Sequence, residues 1–176
     1  MEVTCATPIT LATWARNHGL DGTAGKAAGP LDDPDNDGRS NLVEFACNGN
    51  PLNGANQGGI YGATCDSTGN GRKDLILTIA VLAGTPAFSK SASPVAAHPT
   101  AGITYTIEGG TSLTHFPDAP VAPTTAAVTT GLPVDPATGL TVVPGTGYEF
   151  RSFSLSGSNG LPANGFLRAK IEQPMP

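Results

Sequence analysis

From Lys73 to the C-terminus, apolar residues recur at every second position, in short runs separated by Gly and Pro. Successive side chains of an extended strand point to opposite faces, so this period commits the region to β-structure. Leu75, Leu77, Ile79 and Val81 make one face of the first run, and Ile76 and Ala80 leave the other face apolar too. A strand apolar on both faces is expected at the centre of a covered sheet. Ile103, Tyr105 and Ile107 alternate with Thr104, Thr106 and Glu108, which predicts a half-buried strand. Further strands are predicted over 119–130, 140–143, 148–155 and 165–172, with turns at Gly109-Gly110, 133–139, Pro144-Gly145 and 157–160. Six or more short strands at this spacing predict a mainly β fold, an antiparallel β-sandwich over 73–176.

The N-terminal part has another texture. Thr10 to Gly19 reads as a short helix with Leu11, Trp14 and Ala15 on one face and Gly19 ending it. A Gly/Ala-rich connection follows from Asp21 to Leu31. The expected organisation is a helical segment over 1–52, a Gly/Asn-rich linker over 53–72 and the β region over 73–176, packed as one unit. A chain of 176 residues is long enough to bury a core of its own.

Residues 33 to 44 read Asp33-Pro34-Asp35-Asn36-Asp37-Gly38-Arg39-Ser40-Asn41-Leu42-Val43-Glu44. Every specified position of the calcium-loop pattern D-x-[DN]-x-[DN]-G-x5-E is filled. Ca²⁺ takes about 6–8 oxygen ligands, so a short loop must turn sharply and aim alternate residues inward. Asp33, Asp35 and Asp37 would each offer a carboxylate oxygen, Arg39 its backbone carbonyl, Asn41 a contact often made through water, and Glu44 two oxygens. Gly38 permits the turn. The plain alternative is a solvated acidic turn in which Ser40 caps a helix from Asn41 to Cys47. Charge favours the cation: Asp32, Asp33, Asp35, Asp37 and Glu44 crowd into thirteen residues of a chain with 14 acids and 9 bases. The segment Asp66 to Asp74 echoes the pattern through Asp66, Asn70 and Gly71, but its twelfth position is Leu77. A hairpin turn with Asn70-Gly71 at its tip is the expectation there.

Charged residues are 13% of the chain, while 23 Gly and 16 Pro exceed a fifth of it, a composition of turn-rich exported β proteins. Scattered basic residues and a net charge of −5 exclude a nucleic-acid surface. No apolar run approaches the roughly 20 residues of a membrane helix. Met1-Glu2 lacks a positive n-region and Thr10 to His18 is amphipathic, so no signal peptide is read, and a mature form, fragment or module is expected. Cys5, Cys47 and Cys65 show no CxxC spacing and the three His lie far apart, which leaves zinc unsupported. A Cys47–Cys65 disulfide with Cys5 unpaired, or bonded to another chain, is the preferred arrangement; three reduced thiols are the alternative.

The order of these motifs resembles a domain of exported proteins from Verrucomicrobia and related bacteria. Trp14, Asp33 to Ala46, Asn50-Pro51-Leu52, Tyr105 to Leu113, Tyr148 to Phe153 and Gly165 to Lys170 carry the resemblance over nearly the whole chain. The calcium segment by itself is similar to those of dockerins and thrombospondin type 3 repeats. The resemblance implies a module, usually C-terminal in a larger secreted or surface protein, with no established activity. Cys47 stands where an aromatic or aliphatic residue is usual, which adds to the expectation of a cysteine partner. Gly110-Thr111-Ser112 departs from the usual G-S-x-D segment.

Paired EF-hands carry an apolar eighth position; this loop has Ser40 there and a single copy, which points to a constitutive structural ion and not a sensor. Catalytic constellations are thin. Glu108, Glu149, Asp118 and Asp135 could form a hydrolytic carboxylate pair, but nothing in their spacing requires it. Gly-x-Ser-x-Gly and phosphate-cradling loops are absent from the sequence. Arg151 and Arg168, beside Phe150, Phe153 and Phe166, could stack on a sugar or pair with a carboxylate, though stem packing with a solvated head is the simpler role. A non-catalytic, calcium-stabilised extracellular structural or adhesion module is expected, whose partners would be cell-surface glycan or the parent protein. A self-assembling subunit of a filament or surface layer is the alternative, and a glycan-active accessory domain stands third.

Overall fold

A computed structural model describes residues 9–114, 116–117, 119–134, 138–155 and 164–173. The fold is mainly β, with two antiparallel sheets and two short helices, α1 (Leu11–Asn17) and α2 (Asn41–Cys47). The strands are β1 (Ile60–Cys65), β2 (Asp74–Leu82), β3 (Val95–Ala97), β4 (Thr104–Gly110), β5 (Val121–Pro123), β6 (Tyr148–Leu155) and β7 (Phe166–Glu172). One sheet has the order β1-β2-β6-β5 and the other β3-β4-β7.

As its two apolar faces require, β2 lies inside its sheet, between β1 and β6. Leu77, Ile79 and Val81 enter the core with Phe153 of β6 and meet Ile103, Tyr105 and Ile107 around β4. Phe88 bridges the two groups, its ring 4.7 Å from Phe153 and 6.4 Å from Tyr105 by centroid. The opposite face of β2 is buried by the stretch after β5. The Thr78 hydroxyl donates to the Val128 carbonyl at 3.0 Å, and Val128 N–H donates to Ser152 Oγ at 2.8 Å.

Both helices join the same core. The Thr10 hydroxyl caps α1 by accepting from Thr13 N–H at 3.2 Å, and Leu11, Trp14 and Ala15 are its buried face. Trp14 packs on Phe45 of α2, with ring centroids 5.7 Å apart. Ser40 precedes α2 with extended backbone but makes no side-chain cap. Instead Asn41 N–H donates to the Asp32 carbonyl and Leu42 N–H to the Pro30 carbonyl.

Several sequence expectations change. Ile60–Cys65, inside the segment 53–72 read as linker, is an edge strand paired with β2 from Ile60↔Ile79 to Cys65↔Asp74. Ile60 packs against the core at its start, but Gly62, Ala63 and Thr64 carry no alternating apolar pattern that marks a strand; the turn expected around Asn70-Gly71 does close the β1–β2 hairpin. The strand expected over 119–130 shortens to Val121–Pro123, because the residues beyond leave the sheet to cover β2. Residues 140–143 form no strand, and Thr141 makes one isolated bridge to Val134. The three-residue strand β3 was not anticipated.

The Cys47–Cys65 disulfide is not formed: both thiols are free. Gly59 N–H donates to the Cys47 carbonyl at 2.7 Å, so Cys47 sits at the start of β1 while Cys65 ends that strand. At 3.2–3.4 Å per residue the separation is roughly 20 Å, beyond the ~7 Å that a disulfide spans between Cα atoms. Cys5, His115, Asp118, Asp135 and the turn expected at 157–160 lie outside the described residues.

Candidate metal centre

The loop before α2 folds through its own side chains. Asp33 accepts from Asp37 N–H at 3.2 Å and from Gly38 N–H at 2.9 Å, while Asp37 accepts from Arg39 N–H at 2.8 Å. Asn36 and Gly38 both adopt positive φ, +59° and +91°, which wraps the backbone around a centre. Ligand atoms of Asp33, Asp35 and Asp37 come within 4.8 Å of one another.

The decisive member is Glu44. In the first turn of α2, it is 0% exposed, and neither carboxylate oxygen has a hydrogen-bond partner. Asp35 Oδ2, Asp37 Oδ2 and Asn41 Oδ1 are likewise buried and unpartnered. A buried carboxylate without a donor costs several kcal/mol unless it is neutralised or meets a cation. Accordingly, burial, followed by the charges of Asp35, Asp37 and Asp33, pushes the Glu44 carboxyl up to about 7. Burial and the neighbouring Asp37 also raise Asp35. Among the described residues the three aspartates form the close cluster that could hold an ion, and Glu44 and Asn41, outside that cluster, add buried oxygens without donors; hard oxygen atoms of this kind suit Ca²⁺.

The Asp66 turn provides an internal control. Asp66 accepts from Asn70 and Gly71 N–H, and Asn70 from Arg72 N–H, reproducing the bonds of the first loop at the same relative positions. Positive φ recurs at Gly69 and Gly71. Its third position is Thr68, however, and its twelfth, Leu77, is buried in the core. The backbone frame is therefore not what singles out the first loop; the buried, unpartnered oxygens are.

No family model, curated protein or solved structure matches this chain.

What attaches the centre to the sheets was invisible from the sequence. The last four carbonyls of α2 have no partners within the helix, and each finds one elsewhere. Gly49 N–H reaches Glu44 O at 2.7 Å, Tyr148 Oη–H reaches Phe45 O at 2.7 Å, Tyr105 Oη–H reaches Ala46 O at 2.9 Å, and Gly59 N–H reaches Cys47 O at 2.7 Å. Tyr105 stands on one sheet and Tyr148 on the other, so α2 is stitched to both. Asn41 holds the opposite end, its Nδ2 donating to the Ala27 and Gly29 carbonyls.

The remaining candidates separate. Glu108 on β4 pairs with Arg168 at 2.6 Å, and Glu149 on β6 pairs with Arg151 at 2.7 Å, on different sheets. Arg168 also covers the Phe116 ring at 4.6 Å, and Arg151 donates to the Thr85 carbonyl at 3.2 Å. Both guanidinium groups thus have carboxylate partners. No helix of the described residues is long and apolar enough to cross a membrane.

Proposed function

We propose that the chain is a calcium-stabilised structural or adhesion module of an exported protein, non-catalytic, in which Ca²⁺ fastens a short helical segment to an antiparallel β-sandwich. Asp33, Asp35, Asp37 and Glu44 supply carboxylates, Arg39 its backbone carbonyl and Asn41 its amide oxygen. The observation that carries this is Glu44, wholly buried beside three aspartates with no donor for either oxygen. A divalent cation removes the repulsion and the desolvation cost together. Its stabilisation passes through α2 to Tyr105 and Tyr148, and hence to both sheets. The motif order shared with exported verrucomicrobial modules supports an extracellular or cell-surface setting, where an ion bound at about 10⁻⁴–10⁻³ M would stay bound. Isothermal titration of the chelated chain with CaCl₂, beside Glu44→Gln, tests it: one site is expected, lost in the variant. No heat of binding, together with an unchanged melting curve in EDTA, would end the proposal.

Self-assembly into a filament or layer is the second reading. Val134, Leu140 and Val143 leave large apolar side chains exposed on one stretch of chain, which favours it. Sedimentation velocity with and without Ca²⁺ separates the two, since a monodisperse monomer in both conditions excludes the assembly.

A further inference from the structure

The segment following α2 closes on itself and then closes over the carboxylates. Asn50 N–H donates to the Asn56 carbonyl at 3.0 Å, Asn53 N–H to Asn50 O at 3.0 Å, and Asn56 N–H to Asn53 O at 2.8 Å. Residues 50–56 therefore form a compact loop closed by its own backbone bonds. Its contact with the centre is tight because two glycines allow it. A Cβ on Gly49 would stand 2.8 Å from Glu44 Cβ and 2.9 Å from Glu44 Oε1, and one on Gly54 would stand 3.0 Å from Asp37 Cβ. This backbone lies directly against Glu44 and Asp37, whose Oε1, Oε2 and Oδ2 are buried. Its first residue is tied to α2 by Gly49 N–H donating to the Glu44 carbonyl at 2.7 Å, and its far end by the Arg39 guanidinium donating to the Gln57 carbonyl at 2.5 Å and Gln57 Nε2 donating to the Asp37 carbonyl at 3.5 Å.

We infer that residues 49–58 are a lid latched by the Arg39 side chain, sealing the centre so that the ion keeps no position for an outside ligand. This rests on the calcium site proposed above and goes further. Arg39 acts twice, its carbonyl as a ligand and its guanidinium as a positioning group that sets how fast the ion escapes. Any adhesive contact of the module then runs through its surface and not through a calcium-bridged glycan.

Two measurements on the whole chain test the lid. Terbium substituted for calcium reports coordinated water through its luminescence lifetimes in H₂O and D₂O. A sealed centre with Asn41 bound directly holds no water, and one bridged at the ninth position holds about one. Stopped-flow release of Ca²⁺ into a fluorescent chelator follows the latch. Arg39→Gln keeps the backbone ligand and should release about three- to tenfold faster, the scale of one lost charge-assisted hydrogen bond at a partly exposed position. Gly54→Ala, which crowds Asp37 Cβ at 3.0 Å, should also release faster. Several waters on terbium, or wild-type release from both variants while Glu44→Gln abolishes binding, would overturn the lid and leave the calcium site standing. A wild-type chain that binds neither ion would overturn both.

Discussion

The Tyr105 hydroxyl donates to the Ala46 carbonyl at 2.9 Å and accepts from Leu82 N–H at 3.2 Å, joining α2 to β2 through a residue of β4. Tyr105 is fully buried, and its ring packs near Phe88. One side chain thus closes the seam between the candidate ion centre and both sheets.

Tyr105→Phe keeps the ring and orphans a buried carbonyl and a buried N–H. We expect a loss of about 1–3 kcal/mol in urea unfolding. Tyr148→Phe, which frees only the Phe45 carbonyl at a half-buried position, should cost less, ~1 kcal/mol. Equal effects would show that the seam is not concentrated at Tyr105.

Glu44→Gln should act with opposite signs in two buffers. With Ca²⁺ present it removes a two-oxygen ligand and lowers Tm relative to the wild type. In EDTA at pH 8, above the value of about 7 to which Glu44 is raised, it removes a buried charge beside three aspartates, and the variant should melt a few degrees higher than the chelated wild type, since ~1 kcal/mol is worth about 2–4 °C at this size. A variant less stable in both buffers would mean Glu44 serves packing alone.

The chelated protein should lose stability as pH rises. Glu44 is raised from 4.5 to about 7 in the fold, so between these values the native state holds more protons than the unfolded chain. Stability is therefore fully present below about 4.5 and falls as pH climbs through 7. With excess Ca²⁺ the slope reverses over the same window, because the ion binds the deprotonated carboxylates. Urea midpoints at pH 5.5 and pH 8, with EDTA or with Ca²⁺, give four values whose crossing checks the sign.

Thiol chemistry reports on the same seam. Burial pushes the Cys47 thiol up to about 12, whereas Cys65 is half-buried at the end of β1. A thiolate-specific reagent should label Cys65 in the native protein and reach Cys47 only on unfolding. Chelation should speed Cys47 labelling by loosening α2. A non-reduced peptide map containing a Cys47–Cys65 bridge would contradict the strand geometry.

The sequence by itself determined whatever short spacing encodes. Twelve contiguous residues bring Asp33, Asp35 and Asp37 together on one loop, and the stretch expected as a strand over Tyr148–Leu155 is one with those bounds. It also determined that β2 is central, since both of its faces are apolar. Tertiary structure decided the rest, because burial and hydrogen-bond partners are long-range choices. The Asp66 turn has the same backbone frame as the first loop yet no orphaned oxygens; Thr68 and Leu77 mark the difference in sequence, and burial of the oxygens completes it. Glu44 is buried and unpartnered through the packing of α2 and the close approach of Gly49, which the twelve-residue pattern does not encode. The carbonyls of α2 found Tyr105 and Tyr148 at separations of 59 and 103 residues, which no window of the sequence spans.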